Sequence, residues 1–561
     1  MKKIFVLVIV EVMAFVVPSY AQQNFSIPVD NWTYSVIQQL QNRGYLLDLS
    51  PGLKPYTRMQ VARALENFRS KVDVSKLPPA SMWLVEKLDR EFSYELRLLR
   101  AEKQTPDTSI VNARFAEEAF LNLAKGDYKT LKQANKTEFR PTLRTEFGFD
   151  IGNHLSFYTD ATVDQTLRDD TLYTGSTKFG LDVLAQQAYI RYSSKYVDLT
   201  FGRDYLSWGY GYDGEPFIST IPGGLDMLSL FVKTHLVKFN WFVAQLDPLP
   251  EFTPDTNNYL PFGPGPTSGQ PDPTANRYLT GSRIEFNLDN KVFLAAYQAA
   301  LFGGPNASIN FLNTNPVRVN YETTINNHLG VQTTNNFLGA DVSVFWPKDF
   351  NLYGGLLIDD WQVDHKVKGD LKPNLYAIQT GIRASDLLQS LGVTGTDASL
   401  QYMMAGNRVY NQYSWVSFQK LLLRNYPVAN PFGDDYWNID LRLSQWLSYD
   451  WKIGFEIMHL EHGSSNIYGL YTMPWFINPA ITDSMVAAGY RYKEPFPFGV
   501  IQETNMFEAN ILYQPASNFY GQAMISYSQN RNYGFVSGVN KGIFSFLFTI
   551  YYNFTANLPF N

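Results

Sequence analysis

From about residue 111 to 554 apolar and polar side chains alternate with a period of two, the pattern of a strand with one greasy and one polar face. Phe544, Phe546, Phe548, Ile550, Tyr552 and Phe554 alternate with Ser545, Leu547, Thr549, Tyr551 and Asn553. Trp451, Ile453, Phe455 and Ile457 alternate with Lys452, Gly454, Glu456 and Met458. Trp437, Ile439, Leu441 and Leu443 alternate with Asn438, Asp440, Arg442 and Ser444. Alternation alone also fits a soluble sandwich whose greasy face is its core. Strand length argues otherwise, because these runs of about 10 to 15 residues exceed the ~5 to 6 of globular sheets and suit a tilted bilayer crossing.

The connections alternate too. Short ones fall at 152–153, 193–196, 235–238, 289–290, 347–350, 447–450 and 515–518, and long polar, Gly/Pro-rich ones at 207–224, 247–276, 302–335, 411–433 and 461–500. Transmembrane barrels have this asymmetry, with tight turns on one side and long outer loops on the other. Counting from 111–123 to 541–554 places eighteen strands, each long segment after an ascending one, and both barrel ends on the turn side. Two features fit less well. Residues 114–123 also read as a helix, whose loss would reverse every loop, and the 385–397 connection is long for a turn; sixteen strands stays open. The predicted fold class is an all-β transmembrane barrel of about eighteen antiparallel strands, with Tyr, Trp and Phe at strand ends as interfacial girdles and a small N-terminal α-helical bundle.

The bundle is read at 22–105, where the period becomes helical. Asp30 is placed as the cap of a first helix carrying Trp32, Val36 and Leu40, ended by Gly44. Thr57 and Gln60 form a capping box for a second with Val61, Leu65 and Phe68. A third runs from Pro78-Pro79 through Trp83, Leu88, Phe92 and Leu96 to about Arg100. Ahead of them, Lys2 and Lys3, an apolar stretch at 4–17 and Ser19-Tyr20-Ala21 read as a secretory signal peptide, residues 1–21. Its loss takes the net charge from −6 to −7.

The 561 residues are too many for one ordinary soluble core. With no Cys, the chain is neither a disulfide scaffold, a thiolate metal protein nor a Cys-nucleophile enzyme. Net negative charge without a basic run excludes a nucleic-acid binder. The six His are scattered; His459 and His462 are placed on opposite strand faces, and no G-x-S-x-G, P-loop, H-E-x-x-H or EF-hand loop occurs. The expectation is a non-enzymatic protein without cofactor or metal.

The stretch Gly202-Arg203-Asp204-Tyr205-Leu206-Ser207-Trp208-Gly209-Tyr210-Gly211-Tyr212-Asp213-Gly214 resembles the G-R-x4-W-G-x-G pattern of the capsule assembly protein Wzi family. Ile27-Pro28-Val29-Asp30-Asn31-Trp32 and Lys54-Pro55-Tyr56-Thr57-Arg58 resemble the helical start of its long members. The resemblance implies an eighteen-strand barrel in a Gram-negative outer membrane, a periplasmic helical bundle, and an outer surface that holds capsular or other surface polysaccharide as a lectin would. Its implied partners are polysaccharide, outer-membrane lipid and the barrel-insertion machinery. Rings for stacking on sugars and planar polar groups for hydroxyls then point to Arg203, Trp208, Tyr210, Tyr212 and Asp213 in the motif. Asp359, Asp360 and Trp361 stand at a second strand top, and Asp434, Asp435, Tyr436 and Trp437 at a third. For each ring the competing reading is an interfacial girdle, and for Gly209, Gly211 and Gly214 a tight loop in the barrel mouth. Arg203 shares the phase of lipid-facing Val197, Leu199 and Phe201, so either a bulge turns it inward or it stands above the hydrocarbon.

Two other functions remain open on the residues alone. One is a porin whose inward Asp440, Arg442, Lys452 and Glu456 tune selectivity, its head resembling one S-layer-homology unit over 32–65. The other is a docking platform for export machinery.

Overall fold

The computed structural model describes residues 24–104, 111–128, 131–152, 154–165, 182–247, 275–305, 307–320, 334–413, 418–469 and 471–560. The signal peptide and much of the loops read at 247–276 and 302–335 lie outside these residues. Four helices lead: α1 Thr33–Asn42, α2 Arg58–Lys71, α3 Pro79–Glu91 and α4 Ser93–Gln104. Eighteen staves follow: β1 Val111–Tyr128, β2 Leu131–Ile151, β3 Leu155–Asp164, β4 in two segments Asp182–Leu184 and Ala188–Ser193, β5 Val197–Asp204, β6 Leu225–Lys233, β7 Val237–Leu246, β8 Ala275–Leu288 and β9 Val292–Pro305. The second half comprises β10 Thr334–Val344, β11 Phe350–Asp360, β12 Leu375–Ala384, β13 Thr396–Ala405, β14 Tyr436–Trp446, β15 Trp451–His462, β16 Gln502–Ala516, β17 Phe519–Arg531 and β18 Lys541–Phe560. Each stave pairs antiparallel with its sequence neighbours, and β1 pairs with β18 from Val111↔Phe560 to Lys125↔Phe546, closing the barrel. The stretch open to a helical reading, 114–123, is strand.

Period two sorts the side chains as a bilayer requires. Phe147, Phe201, Phe286, Phe455, Ile457, Phe507 and Phe548 face outward and bare, while Arg144, Glu118, Arg191, Asp204, Arg283, Asp341, Asp440 and Glu456 are buried inside. The inner charges are paired along the inner wall between adjacent or nearby staves: Arg144 with Glu118 at 2.9 Å, Arg191 with Asp204 at 2.6 Å, Arg283 with Asp341. A charge removed from water needs such a partner.

The head departs from its sequence reading in two places. Asp30 does not cap α1; the Asn31 side chain accepts from the Thr33 N–H at 3.0 Å, and Asp30 pairs with Arg144 of the wall. The run read as one third helix is two, α3 and α4, broken at Phe92. The break lets Arg58 of α2 reach Glu91 at 2.8 Å and Glu95 at 2.5 Å on either side, with its guanidinium 4.8 Å above the Phe92 ring. The capping box of α2 forms as read, Gln60 N–H donating to Thr57 Oγ1 at 3.2 Å and Thr57 N–H to Gln60 Oε1 at 3.0 Å.

The head closes the turn end of the barrel. Trp32 Nε1 donates to the Ser517 carbonyl at 3.1 Å, Lys87 Nζ to that of Gln514 at 2.8 Å, and Trp446 Nε1 to Gln39 Oε1 at 2.8 Å. Arg43 is fully buried and pairs with Asp386 and Asp397, each at 2.9 Å. That contact explains the long 385–397 connection. It carries Asp386, which also accepts from Gly395 N–H at 2.6 Å, as a post for the head. Ahead of α1, Phe25 reaches into the lumen against Tyr158, which itself stacks on Tyr189, and over Gly148, where any side chain would collide with its ring.

Candidate functional site

The motif loop, 205–224, leaves the top of β5 and folds down inside the barrel. Ser207–Trp208 pairs antiparallel with Leu53–Lys54 of the head, and Gly209 N–H donates to the Gly52 carbonyl at 3.1 Å, so a loop from one end meets the head from the other within the lumen. Gly209 (φ +138°) and Gly214 (φ +139°) hold a backbone that other residues rarely adopt. A Cβ at Gly209 would strike the Glu215 carboxylate, which accepts from Gly211 N–H at 3.1 Å. Burial pushes the Glu215 carboxyl up, and the neighbouring Lys54 ammonium pulls it back.

This placement corrects the expectation that the motif rings stand at the outer rim. Trp208 is 1% exposed, wedged among Phe217, Phe242 and Tyr297, with Nε1 donating to Asn240 Oδ1 at 2.9 Å. Tyr210 is 3% exposed; its ring lies against Gly52 and its carbonyl accepts from Arg383. Tyr212 donates to the Asp440 carbonyl at 3.1 Å beneath the Arg442 guanidinium, 3.9 Å from its ring centre. Arg442 also pairs with Asp213, with Asp440 at 3.0 Å and with Glu456 at 3.2 Å. Those three carboxylates bring oxygens within 4.8 Å of one another, the spacing of a cation site, but the guanidinium already serves them. Arg203 ends the outward row of β5 and forks onto Asp226 of β6 at 2.8 and 2.6 Å, so it stands at the top of the wall without turning inward.

The third group is also structural on its inner side. Asp434 accepts from Arg408 N–H at 3.0 Å, Asp435 from Phe498 N–H at 2.9 Å, and Tyr436 packs on Phe432 with rings 5.0 Å apart. Burial pushes Asp434 up to about 7 and Asp435 up to about 8, and both carboxylates are taken up by those backbone N–H groups. Trp437 points outward, its ring 5.1 Å from His459 and 6.4 Å from Tyr402, and donates to Glu461 at 3.1 Å. With Tyr402 and His459 it forms an upper aromatic belt on β13–β15, and Trp361 and Tyr376, their rings 6.5 Å apart, stand at the tops of β11 and β12. Asp359 accepts from Tyr410 N–H at 2.7 Å, Asp360 pairs with Lys372, and Trp361 is 53% exposed.

The sequence reading missed what covers the outer end. Residues of 205–224, 406–435 and 463–501 share one apolar core with the wall, including Phe217, Tyr410, Leu422, Tyr471, Trp475 and Val486. Arg408, with Glu494 at 2.6 Å and its guanidinium 5.1 Å above Trp475, ties two of these loops together. Above this core lie exposed polar and aromatic groups: Asp364, His365, Asp483, Tyr490 and Arg491.

The family model described as capsule assembly protein Wzi matches residues 125–542. The chain belongs to the capsule assembly protein Wzi family. Among solved structures, the Wzi family chain superposes on Wzi of Escherichia coli with a TM-score of 0.56 at 12% identity, covering 97% of this chain and 100% of that one. That neighbour is described as an outer membrane protein involved in group 1 capsule assembly and as a carbohydrate-binding β-barrel. OprD of Pseudomonas aeruginosa and OccAB4 of Acinetobacter baumannii each share 8% identity over 80% of this chain, covering 94% and 98% of theirs, with TM-scores of 0.40 and 0.42. No curated protein matches the sequence. Family and fold together make the protein an outer-membrane β-barrel of a Gram-negative bacterium.

Proposed function

We propose that this protein binds and retains capsular or other surface polysaccharide at the outer face of the outer membrane, without chemistry of its own. The observation that carries the reading is the filled lumen: loop 205–224 and the head meet inside it, and the outer loops share a core above. The molecule therefore presents the outside with a surface rather than a hole, and its family supplies the polysaccharide. In this reading Asp360, Trp361 and Arg203 join the exposed groups of 361–374 and 478–496 at the sugar. Trp208, Tyr210, Tyr212, Asp213, Asp359, Asp434, Asp435 and Tyr436 instead hold the loops in place, and Trp437 anchors the belt. The head faces the periplasm.

Cells lacking the protein are expected to shed polysaccharide into the medium and to stain weakly at the surface. Full retention, with nothing released, would overturn the proposal. The filled lumen also gives an electrical expectation. In a planar bilayer the wild-type barrel should show no steady current, and large stable open steps would return the porin to first place.

A further inference from the structure

The connection between β9 and β10 takes an unusual course. Its described part, residues 307–320, lies on the outside of the wall. Inward positions on β8 are the buried Arg283, Glu285 and Asn287; outward ones are the bare Ile284, Phe286 and Leu288. Tyr278, Thr280 and Ser282 continue that outward row upward, and Gln298, Ala300 and Phe302 continue the row of Leu294 and Ala296 on β9. All six are covered or half-covered. Ser282 Oγ donates to the Pro316 carbonyl at 2.8 Å, Gln298 Nε2 to that of Arg318 at 2.6 Å, and Asn320 N–H returns to Gln298 Oε1 at 2.9 Å. Higher up, Ala307 closes over the Tyr278 and Phe302 rings, whose centres are 5.5 Å apart.

Height decides what this strap meets. On β2 the outward row holds bare apolar groups from Ile151 at the turn end up to Phe139, with Phe149, Phe147 and Leu143 between. On β8 the bare row stops at Ile284, below Ser282. At ~3.4 Å per residue and a tilt of ~40°, the distance from Leu288 to Ser282 is about 16 Å of height, short of the ~25 Å apolar band such barrels present. The missing upper part is where the strap lies. Its own outer side is mostly apolar: Phe311 is 95% exposed and Val317 82%, with Ile309 and Val319 also bare; Ser308 and Asn315 are its exposed polar residues, and Arg318 is the one charged residue of the segment. Apolar groups so exposed, continuous with a lipid-facing wall, call for an apolar solvent.

We propose that residues 307–320 form a strap immersed in the outer leaflet, in which Ile309, Phe311, Val317 and Val319 meet acyl chains in place of the wall that they cover. The strap satisfies the wall's outward Ser282 and Gln298, which bare hydrocarbon would leave unpaired.

The chain's lack of Cys makes the test direct. Phe311→Cys and Val317→Cys are labelled with an environment-sensitive fluorophore in the full-length protein. Phe286→Cys on the wall serves as the lipid reference and Asp364→Cys in an outer loop as the aqueous one, each variant checked for a closed barrel by heat-modifiable gel mobility. In phosphatidylcholine vesicles, labels at 311 and 317 should emit to the blue of 364. Brominated acyl chains should remove about half of that emission, as at 286, since the quencher sits within the hydrocarbon. Emission and iodide access like those at 364 would overturn the proposal. So would blue emission untouched by bromine together with cross-links between protomers, which would put a second copy where lipid is expected.

Discussion

Arg43→Met is expected to loosen the head from the barrel while leaving the barrel closed. The guanidinium is fully buried and shared by Asp386 and Asp397, so its loss strands two carboxylates in a dry interface. Breaking a buried ionic cluster by removing one partner costs about 3 to 5 kcal/mol, far more than an exposed pair. That loss falls on the part of the docking interface around the 385–397 connection, which leaves the head to the Asp30–Arg144 pair, the Leu53–Lys54 ladder and single hydrogen bonds such as Trp32 to Ser517 and Lys87 to Gln514. Limited proteolysis should release a fragment of about 80 residues, a length set by the head's own compact core. Adding Asp386→Asn and Asp397→Asn should restore part of the resistance, because the stranded charges are then gone. A protease pattern and melting point unchanged in the single variant would show that Arg43 does not secure the head.

The second large effect is expected at Arg442. Its guanidinium sits over Tyr212 and serves Asp213, Asp440 and Glu456 at once, so Arg442→Met leaves three neighbouring carboxylates without their cation. Asp213 and Arg442 are partly reached by solvent, which places the cost near the lower end of the buried range, about 3 kcal/mol. Because Asp213 belongs to the lumen loop and Asp440 and Glu456 to the wall, repulsion should fall on the loop's attachment. A Tyr212→Cys reporter should react with a small thiol reagent many times faster beside Arg442→Met than alone. Equal rates, with an unchanged melting temperature, would dismiss the role assigned to Arg442.

The barrel was legible because its signal is local. Outward Trp, Phe, Ile and Leu alternate with inward Asp, Arg, Lys and Glu on β14 and β15 and with Ser, Thr and Asn on β18, and each tight turn is spelled by its own residues. The capping box at Thr57 and Gln60 is local in the same way. The fate of the motif loop was not, since Trp208, Tyr210 and Tyr212 have one composition whether they face sugar or a lumen. What draws them inward are Asn240, Arg383 and Arg442, on strands far along the chain. The break at Phe92 was hidden for a similar reason: it is set by Arg58 of another helix reaching both Glu91 and Glu95. The outer strap did leave a trace. Ser282 and Gln298 are polar residues in the lipid-facing phase, and a polar group there asks for a cover.

The pairing of β1 with β18 joins the first and last staves of the wall, so nothing seals until the end of the chain has arrived. A product stopped before residue 541 has no mate for β1. It would turn a ladder of unpaired N–H and C=O groups toward hydrocarbon, each costing several kcal/mol. Phe25 and the loop around Trp208 already occupy the interior, so the last zippering step has to enclose cargo as well as complete a cylinder. Biogenesis of this molecule is therefore a final-strand decision, in which an incomplete copy has no stable place in the bilayer.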